Sequence, residues 1–142
     1  MPVAGRKPNP QGQTRHRVRP VHDWIEVERI PFVGGSKLPV HQPNGKLWPK
    51  PTRHWWQVVS AMPHCVLWDD GDWQFALDTA VIAAAFHDGD MRVTTELRQR
   101  EKILGTTLDA RRDLRIRYVD PPTEEERQGV TAIEAYKARL TQ

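Results

Sequence analysis

A chain of 142 residues suits one small domain with appendages, and a hydrophobic share of 38% leaves material for a modest core only. No apolar run reaches 18 residues and no charged-then-apolar leader opens the chain, so neither a membrane span nor a secretory signal is expected and a cytoplasmic address follows. The formal charge of +3 hides an asymmetry: residues 1–22 hold Arg6, Lys7, Arg15, Arg17 and Arg19 and no acid, whereas the rest carries 16 bases against 18 acids.

Residues 1–20 combine that charge with proline, glycine and glutamine and almost no large apolar side chain, so they are expected to form a disordered basic arm. Such an arm suits phosphate backbones, because each neutralised phosphate releases condensed counterions; the alternative is a solubilising tail. Residues 21–50 form an irregular, proline-rich strap. Asp23–Glu28 alternates polar and apolar as a short extended piece, Asn44-Gly45 signals a turn, and Trp24 and Trp48 are placed to pin the strap to the body.

Residues 51–119 form the helical core domain. A first helix from about Thr52 to Met62 is capped by Thr52 and stopped by Pro63, with Trp55, Val58, Val59 and Met62 facing inward. Trp55-Trp56 at its start is expected to anchor it by core packing. Asp69 caps a second helix whose first turn carries Asp70 and Asp72, where the helix dipole favours anions. Its body is apolar on two faces, one made of Trp73, Ala76, Leu77, Ala80, Val81 and Ala84, the other of Phe75, Ile82 and Phe86. A helix of this kind is buried on two sides. Either another subunit covers Phe75, Ile82 and Phe86, making them an oligomer interface, or neighbouring helices of the same chain do.

A third helix, Met91–Leu104, turns Val93, Leu97 and Leu104 inward and places Glu96 and Arg100 for a four-residue ion pair. Gly105 then ends it in the left-handed conformation, and Thr106 or Thr107 caps a fourth, about Leu108 to Tyr118. The pair has helix-turn-helix connectivity. Arg111, Arg112 and Arg115 share one face of the fourth helix, and Ala110, Leu114 and Tyr118 form an apolar stripe; the alternation from Leu114 to Val119 also allows a strand ending. The arginines can contact DNA from a major groove, or pair with Asp109, Asp113 and acids of another subunit. After Pro121-Pro122, residues 120–142 carry a C-terminal amphipathic helix. Thr123 and Glu126 form a capping box, and Val130, Ile133, Tyr136 and Leu140 make a narrow stripe for a partner surface.

Catalysis finds little support. Asp69, Asp70, Asp72, Asp88 and Asp90 sit where helix caps want acids, His54, His64 and His87 lack ligand spacing, and Ser36 and Ser60 have no nucleophile motif. Cys65 stands alone, so a disulfide is excluded and a small buried hydrophobe is expected. No phosphate-binding glycine loop occurs. A non-enzyme without metal or cofactor follows.

The stretch Leu104-Gly105-Thr106-Thr107-Leu108-Asp109-Ala110-Arg111-Arg112-Asp113-Leu114 resembles the C-terminal signature of the small terminase subunits of tailed double-stranded DNA phages. Gly5-Arg6-Lys7-Pro8-Asn9-Pro10 is similar to the basic opening of that family, and Trp48-Pro49, Arg53-His54-Trp55-Trp56 and Leu67-Trp68-Asp69-Asp70-Gly71-Asp72 fall in its order. The resemblance implies an all-α, ring-forming homo-oligomer that binds double-stranded viral DNA at the packaging-initiation site and recruits and regulates the large terminase subunit. It implies action in the host cytoplasm. The expected DNA contacts are Arg6, Lys7, Arg15, Arg17, Arg19, Arg111, Arg112 and Arg115; Val130, Ile133, Tyr136 and Leu140 are expected to meet the large subunit or a neighbouring small one. A helix-turn-helix transcription regulator and a structural head-tail adaptor are the competing readings.

Overall fold

The computed structural model describes residues 23–140, so the arm with Arg6, Lys7, Arg15, Arg17 and Arg19 lies outside the described residues. The fold is all-α, with one very small sheet. In chain order the elements are β1 (Ile25–Glu28), α1 (Lys50–Ser60), α2 (Asp70–His87), α3 (Thr94–Leu104), α4 (Leu108–Asp113), β2 (Ile116–Val119) and α5 (Glu124–Leu140), with short 3-10 turns at Pro63–Leu67 and Met91–Val93.

The helix starts follow from local chemistry. Pro49 occupies the N-cap of α1 and Pro51 its first turn, where a missing N–H costs nothing. Thr52 is therefore not the cap. It is fully buried one turn inside, and its hydroxyl meets His87 Nδ1 at 2.8 Å, tying α1 to the end of α2. The inward row of α1 is Thr52, Trp56 and Val59, at spacings of four and three. Trp55 is half-buried, its indole N–H donating to Glu101 at 2.8 Å, and Val58 is 54% exposed. Val59 and Met62 are buried as expected, while Thr52 and Trp56 join them in the core in place of Val58.

Asp69 caps α2 as expected, accepting from the backbone N–H groups of Gly71 and Asp72, while the Asp72 carboxylate reaches back to the Asp69 N–H. The buried side of α2 is built from small residues, Ala76, Thr79, Ala80, Ala83 and Ala84, which lets α1 and α3 both pack against it. The core gathers Trp48, Trp56, Val59, Met62, Cys65, Trp73 and Leu104 around this helix. Cys65 is buried and its thiol donates to the Val59 carbonyl at 3.2 Å, the environment of a small hydrophobe.

The strap is nailed on by indoles. Trp48 Nε1 donates to the Pro39 carbonyl at 2.8 Å and Trp56 Nε1 to the Ser36 carbonyl at 3.2 Å, and Phe32 stacks on Trp73 with centroids 5.9 Å apart. At Gly35 the backbone runs so close that a Cβ would lie 2.5 Å from the Trp73 ring, so no larger residue fits. Asn44-Gly45 makes the expected turn, with Gly45 at φ 83° and a bridge closing between His41 and Leu47.

The sheet joins the two ends of the fold. β1 pairs with β2 in parallel, Ile25 opposite Ile116 and Val27 opposite Tyr118. Chain segments some ninety residues apart thereby meet, as the ion pair of Glu26 with Arg117 shows. α5 begins at the expected capping box, with the Thr123 N–H bonded to Glu126 at 2.8 Å and the Glu126 N–H to the Thr123 hydroxyl at 3.3 Å. None of its described residues is buried.

Candidate nucleic-acid interface

The α3–α4 turn is assembled from its own backbone. Gly105 takes φ 74°, ψ 34°, its N–H bonds to the Lys102 carbonyl at 3.3 Å, and the Thr106 N–H bonds to Glu101 at 3.2 Å, which is the Schellman closure of α3. Thr107, the second of the two candidate caps, accepts from the Ala110 N–H at 3.2 Å and starts α4. Ala110 is buried against the body.

Arg111 belongs to this turn more than to a free surface. Its Nη1 donates to the carbonyls of Gly105 and Thr106 at 3.1 and 3.2 Å, and its guanidinium lies over the Tyr118 ring, 4.8 Å from the centroid. Tyr118 in turn meets His64, whose buried imidazole bonds Tyr118 at 2.6 Å through Nδ1 and the Leu104 carbonyl at 2.7 Å through Nε2. A carbonyl can only accept, so Nε2 carries the proton and Nδ1 accepts from the tyrosine hydroxyl. Burial lowers the His64 pKa and keeps the ring neutral; the Leu104 carbonyl opposes this and the Arg111 charge reinforces it. Burial also raises the Tyr118 pKa.

The fourth helix is shorter than expected, and its arginines do not share one helical face. α4 stops at Asp113, Leu114 caps it at 41% exposure, and Arg115 adopts a left-handed conformation at φ 58° in the turn into β2. Tyr118, expected on the helix stripe, is a strand residue. The cause is that Leu114–Val119 has the alternation of a strand and finds β1 to pair with, which overrides helix continuation. Asp113 pairs with Lys102 at 2.9 Å. Arg112 and Arg115 are exposed, and neither is ion-paired with another described residue.

Between α4 and the sheet lies an open cleft of about 730 Å³. Trp24, Pro63, Leu108 and Ile116 contribute apolar lining, and Arg29, Arg111, Arg112 and Arg117 contribute four guanidiniums. Arg117 is paired with Glu26, and Arg29 approaches Asp120 at 3.8 Å in a largely exposed pair that contributes little. Ile25 donates its N–H to the Arg115 carbonyl at 2.8 Å, so β1 begins beside Arg115. Sequence reasoning missed Trp24, Arg29 and Arg117 as lining residues. The visible signal was the alternation of both Asp23–Glu28 and Leu114–Val119, but nothing local says that the two segments pair.

Phe75, Ile82 and Phe86 are half-buried on α2; Arg100 covers the Phe75 ring at 5.1 Å, and Phe86 contacts His87. Val130, Ile133, Tyr136 and Leu140 are all exposed on α5. Among the described residues no cluster of histidine, cysteine or carboxylate side chains has the geometry of a metal site, and no helix is long and apolar enough to cross a membrane.

No curated protein matches the chain, and no solved structure does either. The family described as phage terminase small subunit matches residues 4–141, nearly the whole length, including both the basic opening and the Gly105 turn. The chain belongs to the phage terminase small subunit family and its role lies in phage DNA packaging.

Proposed function

We propose that this chain is the non-catalytic DNA-recognition subunit of the packaging machinery, binding double-stranded viral DNA at the packaging-initiation site in the host cytoplasm and recruiting and regulating the large terminase subunit. The observation that carries the reading is the convergence of cationic groups at one place. Arg112 and Arg115 are exposed at the end of α4, and Arg112 shares the adjoining cleft with Arg29, Arg111 and Arg117, while the sequence adds Arg6, Lys7, Arg15, Arg17 and Arg19 with no acid among them. Arg111 serves as a positioning residue, since its donors hold the turn that presents Arg112. A six-residue α4 is about 9 Å long, enough to present two side chains to a groove edge but short for a recognition helix lying along it.

Replacing Arg112 and Arg115 together with Gln tests the body's share. Two lost phosphate contacts are expected to lower the slope of log K against log salt by about 2 and to weaken duplex binding about tenfold. If they read bases, discrimination between the packaging site and random DNA falls too. Fluorescence anisotropy over a salt series measures both. An unchanged slope on both DNAs removes Arg112 and Arg115 from the interface.

Homo-oligomerisation through Phe75, Ile82 and Phe86, in a ring, belongs to the same reading, and what supports it is their incomplete burial in the single chain. α5 is proposed as the contact to the large subunit, supported by its wholly exposed stripe of Val130, Ile133, Tyr136 and Leu140. Truncation after Val119 is expected to abolish stimulation of the large subunit's ATPase while leaving the number of subunits per oligomer unchanged in light scattering. A loss of subunits from the oligomer instead assigns α5 to assembly, and a full-length monomer at micromolar concentration overturns the ring.

A further inference from the structure

The cleft between α4 and the sheet has a chemistry that duplex binding does not use. A duplex offers phosphates outward and keeps its base faces stacked inside, so it has nothing to place against an apolar, aromatic lining. Here Arg112 and Arg117 line the same cleft as Trp24, Leu108 and Ile116. The two aromatic rings of the cleft are not equivalent. Tyr118 is already engaged by the Arg111 guanidinium at 4.8 Å and by the stacked His64 ring at 6.0 Å. Trp24 is half-buried, and among the described residues no ring is stacked on it. The volume of about 730 Å³ falls in the range of small-ligand sites.

We infer that this cleft takes an unpaired nucleotide of a DNA strand, its base stacked on Trp24 and its phosphates held by Arg112 and Arg117. Stacking on an indole is tolerant of sequence because every base has a π-face, and the guanidiniums follow the backbone on either side. The pairing of Arg117 with Glu26 positions that guanidinium without burying it, since both side chains are about half exposed. An acidic peptide would satisfy the arginines but would leave the Trp24 face unused. The inference rests on the reading that the chain contacts DNA, and it adds a single-stranded site to it.

The test uses the full chain, a fluorescein-labelled oligothymidylate of about ten nucleotides and a duplex of about twenty base pairs. Trp24→Ala is expected to weaken oligothymidylate binding about tenfold and to leave duplex binding within about twofold, while Trp24→Phe keeps most of the affinity. Arg112→Gln, at an exposed position that cannot threaten folding, is expected to weaken both and to lower each salt slope by about one. Oligothymidylate should also quench a component of tryptophan emission that is absent from Trp24→Phe. Equal binding of oligothymidylate by the wild type and Trp24→Ala overturns the inference, as does an equal loss on both DNAs. Displacement of oligothymidylate by a polyglutamate peptide at equal charge overturns it in favour of an acidic peptide. A chain that binds oligothymidylate through Trp24 but binds no duplex keeps this site and removes the duplex reading; the converse result removes only this site.

Discussion

Deletion of residues 2–19 is expected to weaken binding to every duplex by a hundredfold or more at moderate salt, and to flatten its salt dependence. The deleted segment contains Arg6, Lys7, Arg15, Arg17 and Arg19, five cations with no acid among them. Each phosphate they neutralise releases about 0.9 of a counterion, so the slope of log K against log salt should fall by up to about 4.5. The body left behind has more acids than bases, 18 against 16, and keeps the cationic edge formed by Arg112, Arg115 and the cleft. The deletion therefore differs in kind from the Arg112 and Arg115 replacements, which remove about two contacts and leave the larger share in place. Anisotropy titrations at several salt concentrations measure the slope directly. A slope that stays the same after deletion shows that the arm touches no DNA and shifts the whole electrostatic case to the body.

How far the sequence could be read depended on the range of the interaction. The Asp69 cap, the Glu96–Arg100 pair at 2.7 Å, the Gly105 stop and the Thr123 capping box were all legible, because each is decided within about one helical turn. The resemblance to small terminase subunits was legible for the same reason: its signature is a string of local devices, Leu104 buried, Gly105 left-handed, Thr107 capping and Ala110 buried. Arg111 shows the limit. Spacing placed it on a charged face, but its donors go back to the Gly105 and Thr106 carbonyls, a return that no helical periodicity encodes.

The parallel pairing of Ile25–Glu28 with Ile116–Val119 was illegible for a different reason. Two four-residue strands carry too little alternation to announce a partner ninety residues away, and a helix reading of Leu108–Tyr118 satisfied the same residues. That misreading hid the cleft, since Trp24 and Arg117 meet only when the sheet forms. On α1 the error was smaller and of the same origin. Thr52 looks like a cap in isolation, but the distant His87 accommodates it in the core and turns Val58 outward.

His64 is where substitution should cost the fold most. It is fully buried, both ring nitrogens are bonded, and it links the end of α3 to β2 through Leu104 and Tyr118. Changing His64 to Ala leaves a cavity beneath Trp68 and strips partners from the Tyr118 hydroxyl and the Leu104 carbonyl. The expected loss is about 3–4 kcal/mol, most of it from the cavity and the orphaned carbonyl. For a domain of this size that corresponds to a fall in Tm of more than about 10 °C. The same residue should make the wild type sensitive to mild acid. Its folded pKa is lowered from 6.5, so below that pH the unfolded chain takes up a proton that the folded chain refuses. Stability from this group is complete above pH 6.5 and is lost as the pH falls toward the folded pKa, at up to about 1.4 kcal/mol per pH unit. Asp90, whose pKa is lowered by its bonds to Arg92, loses its contribution only below the ordinary carboxylate pKa, outside a titration from pH 7.5 to 5. Urea denaturation from pH 7.5 to 5 of the wild type and of His64→Gln, which keeps an amide in place of the imidazole, separates the two effects. The wild-type curve is expected to bend downward below pH 6.5 and the variant curve to stay flatter; parallel curves would show that folded and unfolded chains protonate His64 alike and would overturn the neutral buried ring.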